Sequence, residues 1–262
     1  MKTSNLKILS PKYLEVYSCE IDNDFIRNIG NFQTEKEFSV KDFEFYLVSS
    51  ALYSSKIEGS SLDLNSFYRN RGKGNKAFRP KEVQEIEDLV SAYKFASQNK
   101  LTQKNFLNAH KILSKGLVIR SLRGAYRRDV VGVWSINGLV YQAMEWDLVP
   151  KIMDKLFNDI RYLIKSKMST KEVFYYASMI HLWIAMIHPF MDGNGRSARL
   201  LEKWFLSEKL GKTSWSIKSE TYYWNHHSDY SNNINLGFDY YHIDWDKCMP
   251  FLIMLTHSLS EE

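Results

Sequence analysis

The residues best suited to chemistry in this 262-residue chain form one run, His188-Pro189-Phe190-Met191-Asp192-Gly193-Asn194-Gly195-Arg196-Ser197-Ala198-Arg199. An imidazole titrates near neutrality when nothing perturbs it, so His188 is the natural general base. Gly193-Asn194-Gly195 can take backbone angles that other residues avoid, which lets successive N–H groups converge into an anion-binding nest. A helix starting there adds its N-terminal N–H groups and dipole to the attraction for phosphate. Arg196 and Arg199 lie three apart on its first turns, share a face and can hold phosphate oxygens. Asp192 beside the nest is a lone carboxylate of the kind that holds magnesium, with phosphates and water completing the coordination. A base, a magnesium carboxylate, a phosphate nest and two arginines amount to a nucleotidyl- or phosphoryl-transfer site. It is not a P-loop, because no G-x-x-x-x-G-K-(S/T) occurs.

These groups need helices to place them. Pro189 ends the helix before it, because the residue preceding a proline avoids helical angles, and His188 is left at a helix end. The spacing of apolar residues predicts helices over 171–187 and 196–210, the second stopped by Gly211. Further helices are expected over 43–55 (ending near Gly59), over 83–95 (opened by Pro80), after a Thr102 cap, and over 146–166, 219–236 and 245–259. Gly72-Lys73-Gly74-Asn75-Lys76 is the best linker candidate. Ala125–Ala143 breaks the helical pattern: two β-branched runs flank Asn137-Gly138, a hairpin turn signal. No internal repeat is found.

Composition bounds the rest. Aromatic residues are 15% of the chain and hydrophobic residues 44%, enough for a real core and against whole-chain disorder. Scarce Gly (12) and Pro (5) lean toward long helices. A net charge of +5 permits an acidic or nucleotide partner without demanding nucleic acid. Cys19 and Cys248 form no spacing motif, so a reducing compartment is the simpler reading. With no apolar leader and no run long enough to cross a bilayer, the expectation is a cytoplasmic protein without membrane contact. His181 and His110 read as buried structural histidines, and His226-His227 as exposed. Arg69, Arg71, Lys73, Lys76, Arg79 and Lys81 read as a solvated basic loop. The aromatic tail reads as core packing rather than a nucleic-acid platform.

The run 188–199 resembles the H-P-F-x-(D/E)-G-N-G-R-x-x-R signature of the Fic family at every specified position. Ala177 and His181 fit the family's A-x-x-x-H approach helix. Gly124-Ala125-Tyr126-Arg127 resembles the G-x-(Y/F)-R approach to its flap. The resemblance runs from about Ser54 to Leu255 and is strongest over 181–199. It implies an all-α fold with a β-hairpin flap: an N-terminal helical region (1–100), a Fic core (101–212) and a C-terminal helical extension (213–262). It implies magnesium-dependent transfer of AMP from ATP to a Ser, Thr or Tyr hydroxyl of a target protein. His188 would take the hydroxyl proton, and Asp192 would hold magnesium on the α- and β-phosphates. Asn194 with the backbone of Gly193 and Gly195 would cradle those phosphates, and Arg196 and Arg199 would bind the outer ones. Phe190 would be a core anchor without chemical role. Val133 in the flap would touch the nucleotide. Tyr230 resembles the first Tyr of the family's Y-Y-x-x-L adenosine-pocket motif, although Ser231 replaces the second.

Ser54-Ser55-Lys56-Ile57-Glu58-Gly59 is similar to the family's inhibitory (S/T)-x-x-x-E-(G/N) motif, here ahead of the core as in class II Fic proteins. The resemblance pairs Glu58 with Arg199. An arginine held by a carboxylate cannot take the γ-phosphate, and the fixed negative charge repels ATP. Other readings stand beside this one: transfer of UMP, phosphocholine or phosphate, removal of AMP with Glu58 positioning water, or a nucleotide-sensing regulatory module. Gly195 argues against the phosphate-transferring branch, whose nest carries a lysine variant. Intact His188 argues against a dead scaffold, and the length after 213 is too short for a winged-helix domain. Helical chains of this family often pair, so a homodimer is an open expectation, with Glu58 acting in cis or in trans.

Overall fold

The structure is a computed structural model and describes residues 5–21, 25, 28–29, 39–71, 81–135 and 138–261. The expected linker 72–76, the Pro80 helix start, and Lys73, Lys76, Arg79 and Asn137 lie outside the described residues, as does the side chain of Arg71. The described helices are α1 (Leu14–Glu20), α2 (Val40–Ile57), α3 (Leu64–Arg71), α4 (Lys81–Gln98), α5 (Gln103–Leu113), α6 (Val149–Lys165), α7 (Thr170–Ile187), α8 (Asn194–Leu210), α9 (Ser219–Asn225), α10 (His227–Ile234) and α11 (Met249–His257). Two strands, β1 (Gly132–Ser135) and β2 (Gly138–Gln142), pair antiparallel between α5 and α6.

The helix starts follow local chemistry. Ser39 and Asp42 form a reciprocal capping box at α2, as do Ser169 and Glu172 at α7. Thr102 caps α5 by accepting from Asn105 N–H at 3.1 Å. Gly211, at φ 92°, stops α8 where the sequence stops it. Three expectations needed revision: Arg69, Arg71 and Lys81, read as parts of a solvated loop, lie in α3 and at the start of α4. The helix expected over 219–236 is two helices broken at His226, and the one expected over 245–259 is helical only over Met249–His257 after a short 3-10 turn.

Helix α7 is the axis of the molecule. From Val173 to Ile187 only Trp183 and Ala185 are not buried, so this helix is covered on all sides. Helix α8 packs along it, α6, α1 and α11 cover its other faces, and α2 lies between α4 and α9. One apolar core runs from Leu9 through Leu255 and includes residues of all three expected segments. Helix α8 buries four ionisable side chains: Arg196, Arg199 and Lys203 each face a carboxylate, and Glu202 bonds the His181 ring. Lys203 Nζ bonds Glu220 Oε2, Ser50 Oγ at 2.6 Å and the Ile217 carbonyl at 2.7 Å, joining α8, α9 and α2. Among the described residues, no helix is long and apolar enough to cross a membrane.

Candidate active site

The site forms where α7 ends and α8 begins. Helix α7 stops at Ile187, and His188 turns the chain with φ 51° and ψ 61°, the left-handed region. Among the described residues it is the one non-glycine with positive φ, in a conformation that costs an L-residue about 1–2 kcal/mol. The last carbonyls of a helix have no intrahelical partner. Here Ile184 O accepts from His188 N–H at 2.9 Å, and Ala185 O from His188 Nδ1 at 3.2 Å. Met186 O accepts from the Tyr141 hydroxyl at 2.7 Å, and His188 O from Arg127 Nε at 2.8 Å. The Ala185 contact puts the proton on Nδ1 and leaves Nε2 as the basic nitrogen. Burial lowers the His188 pKa from its ordinary value and outweighs the bond to Ala185, so the ring is a neutral acceptor at pH 7.

Two buried groups fix this end of α7 to the flap and the loop. Arg127 is 1% exposed and, among the described residues, pairs with no carboxylate. Its guanidinium donates to carbonyls of Asp129 and Met144 beside the flap and to that of His188. His110 stacks on Phe190 with ring centroids 3.6 Å apart. It accepts from Gly124 N–H at Nδ1, so Nε2–H donates to the Asp192 carbonyl at 3.0 Å. Burial lowers its pKa to about 4, which keeps that tautomer. The sequence singled out His110 only as structural. Its positioning role comes from a contact across 82 residues, which spacing does not reveal.

The loop is closed by Asn194. Its Nδ2 donates to Phe190 O at 2.9 Å and its Oδ1 accepts from Phe190 N–H at 2.8 Å. The side chain is thus committed to loop shape, and the part of Asn194 left for a ligand is its place in the first turn of α8. Gly193 takes φ 79° as the cap residue of α8, and a Cβ there would crowd Leu113 and Leu117. Asp192 is half exposed, accepts at Oδ1 from Gly193 N–H at 2.5 Å, and lies 3.8 Å from Arg196 Nη2. Arg196 also faces Glu85 of α4 at 3.7 Å, a partner the sequence did not suggest.

An internal anion already sits at the start of α8. Glu58, the C-cap residue of α2, places Oε1 2.6 Å from Arg199 Nη2. The same oxygen lies so close over Gly195 that any Cβ there would overlap it. Burial pushes the Glu58 carboxyl upward, but Arg199 and Arg196 outweigh it and hold it below its ordinary value. Arg199 is 1% exposed and has three further bonds: Nε to Ser54 Oγ (2.8 Å), Nη2 to Ser54 O (3.0 Å) and Nη1 to Tyr230 Oη (3.1 Å). Ser54 stands four residues before Glu58 on one helix face, a spacing from which its part was readable.

Val133 lies on β1, 39% exposed, opposite Tyr141 and next to a bulge at Val133/Trp134. At its end, β2 makes a parallel bridge from Gln142 to Asp239, and Gln142 N–H donates to Phe238 O at 2.8 Å, so the tail covers that edge. Tyr230 is 5% exposed, with its hydroxyl between Arg199 and His181. His188, Asp192, the glycines, both arginines and Glu58 thus gather at one helix start, with Tyr230 directly behind Arg199. Among the described residues no three His, Cys, Asp or Glu side chains converge on a point. A magnesium ion at Asp192 would therefore need ligands from phosphate and water, which suits this hard, oxygen-seeking ion.

Comparison with known proteins agrees with this geometry. The Fic/DOC family model matches residues 100–206. A Fic family protein from Desulfovibrio desulfuricans G20 has the same fold, with TM-score 0.72 and 22% identity over 91% of this chain and 72% of that one. A Fic domain containing signaling protein from Bacteroides thetaiotaomicron VPI-5482 aligns with TM-score 0.66 and 19% identity, covering 90% of this chain and 93% of its own. Fic-1 from C. elegans aligns with TM-score 0.65 and 17% identity, covering 94% of this chain and 72% of its own. No curated protein matches the sequence. Residues 100–206 thus match the Fic/DOC family model, and the chain has the mostly helical Fic fold with its two-stranded hairpin.

Proposed function

We propose that the chain transfers AMP from ATP to a Ser, Thr or Tyr hydroxyl of a target protein and that Glu58 restrains this activity. The observation that carries the reading is the Glu58 carboxylate against Arg199 and Gly195, an anion held at a helix start whose groups suit phosphate. In this reading His188 Nε2 takes the proton of the target hydroxyl. The hydroxyl oxygen forms a bond to the α-phosphorus, and the bond to the β-phosphate bridging oxygen breaks, releasing pyrophosphate with its electron pair. Arg196 and Arg199 bind the outer phosphates, the backbone of Gly193 and Gly195 cradles the inner ones, and Val133 borders the nucleotide from the flap. Magnesium on Asp192 would neutralise phosphate charge. Two free cysteines, Cys19 and Cys248, suit a reducing compartment such as the cytoplasm.

The test uses α-labelled ATP with magnesium and cell lysate. Wild type, Glu58→Gly and Glu58→Gly/His188→Ala are compared. Label should enter protein with Glu58→Gly at about tenfold or more over wild type, as expected when one charged hydrogen bond is removed from a competing anion. It should vanish in the double variant. No label with any variant, with ATP still bound, would overturn AMP transfer and favour AMP removal, another donor or a sensor.

A further inference from the structure

Behind Arg199 lies a buried chain of polar groups that the transfer chemistry leaves unused. His181, on α7, and Glu202, on α8, are both wholly buried. His181 Nδ1 lies 2.8 Å from Glu202 Oε2, and His181 Nε2 lies 3.0 Å from the Tyr230 hydroxyl. Tyr223 donates its hydroxyl to the same Glu202 carboxylate at 3.0 Å. Tyr230 completes the line to Arg199 Nη1 at 3.1 Å.

The donor inventory sets the direction of this chain. A guanidinium only donates, so the Tyr230 oxygen accepts from Arg199. The Tyr230 proton must then go to His181 Nε2, which has to be bare, and the His181 proton sits on Nδ1 and goes to Glu202. An imidazolium would leave the Tyr230 proton without an acceptor among the described residues. We infer that Glu202, His181 and Tyr230 are positioning residues that keep a hydroxyl oxygen turned toward Arg199 and so aim its guanidinium at the outer phosphates of a nucleotide. This rests on the proposed role of Arg199 in nucleotide binding. The two bonds to Ser54 hold the inner side of Arg199, and Tyr230 fixes Nη1, so the guanidinium keeps its aim when the Glu58 carboxylate is gone.

Two measurements test the inference. In the Glu58→Gly background, Tyr230→Phe removes the acceptor and keeps the ring. Calorimetric titration with ATP and with AMP should show ATP binding weakened about tenfold or more and AMP binding unchanged, since AMP lacks the outer phosphates. Equal loss for both ligands, or no loss, would overturn the inference and leave the chain a core-packing device. Failure of Glu58→Gly itself to bind either nucleotide would refute the reading of Arg199, and the inference with it. The second measurement needs no variant and no nucleotide. Nitrogen-15 NMR of wild type at pH 7 should show His181 protonated at Nδ1 and bare at Nε2. The opposite tautomer or an imidazolium would overturn the inference even if nucleotide binds.

Discussion

Glu58 Oε1 and Arg199 Nη2 lie 2.6 Å apart, bringing a helix end and the motif helix together across 141 residues of chain. The guanidinium is wholly buried while the carboxylate side chain is 32% exposed. The pair is therefore open on the Glu58 side, which is the side a competing phosphate would approach.

Acid should not release this pair in the neutral range. The Glu58 pKa is lowered below 4.5, so the carboxylate stays charged and the pairing contributes fully above that value. It is lost only as pH falls below 4.5 through the lowered folded value. Wild-type transfer, measured from pH 6 to 8 and divided by that of Glu58→Gly, should stay flat. A ratio climbing toward 1 at pH 6 would contradict the pairing.

Gly195 and Glu58 should be coupled. A Cβ at position 195 overlaps Glu58 Oε1, so Gly195→Ala forces the carboxylate or the helix start to move, at about 1–3 kcal/mol. In the Glu58→Gly background that overlap is gone. Denaturant melts of the four proteins of this cycle should show a coupling of about 1 kcal/mol or more. Equal costs in both backgrounds would mean that the carboxylate does not rest on Gly195.

The backbone of His188 stores strain that a glycine would relieve. His188→Gly should be more stable than His188→Ala by about 1 kcal/mol, although both lose the base. Identical stability would rule out a left-handed residue there. With the imidazole in place, its pKa is lowered by burial, so the acid limb of the Glu58→Gly pH–rate profile should fall below pH 6.5. A limb centred above 6.5 would point to another base.

Arg127 should matter to turnover more than to binding. It spans from the flap to His188 O without touching the nest. Arg127→Lys keeps the charge and loses the fork. In the Glu58→Gly background it should slow single-turnover transfer by about tenfold to a hundredfold, with ATP affinity little changed. A loss of affinity matching the loss of rate would place its effect on the nest instead.

Lys203 should anchor helix α2 to α8 and α9. Lys203→Met leaves Glu220 charged and buried at a cost of about 3–5 kcal/mol, and Glu220→Gln added to it should recover part of that. Urea unfolding of the single and double variants measures this. If the double variant is no more stable than the single one, the two side chains are not a coupled pair.

Local signals carried much of this protein. Pro189 and the paired glycines mark a helix end and the start of the next helix without long-range information, because each acts within one turn. The caps at Thr102 and Gly211 are local in the same sense. Other elements were not legible. Helix α1 is short and leans on α7 and α11 far along the chain, α3 is short and polar, and the break at His226 falls in the polar run Asn225-His226-His227-Ser228-Asp229, which the helix expectation carried straight through. What only the tertiary structure decided are contacts between segments far apart in sequence. His110 carries the Asp192 carbonyl, Glu85 faces Arg196, and Tyr230 turns its hydroxyl to Arg199 and His181, whereas the contact of Glu58 with Arg199 is one the family resemblance had already named. Residue types and spacing define which groups can donate, accept or turn the chain. Which of them meet depends on how α2, α4, α7, α8 and α10 pack, and that is set by the shared apolar core rather than by any local motif.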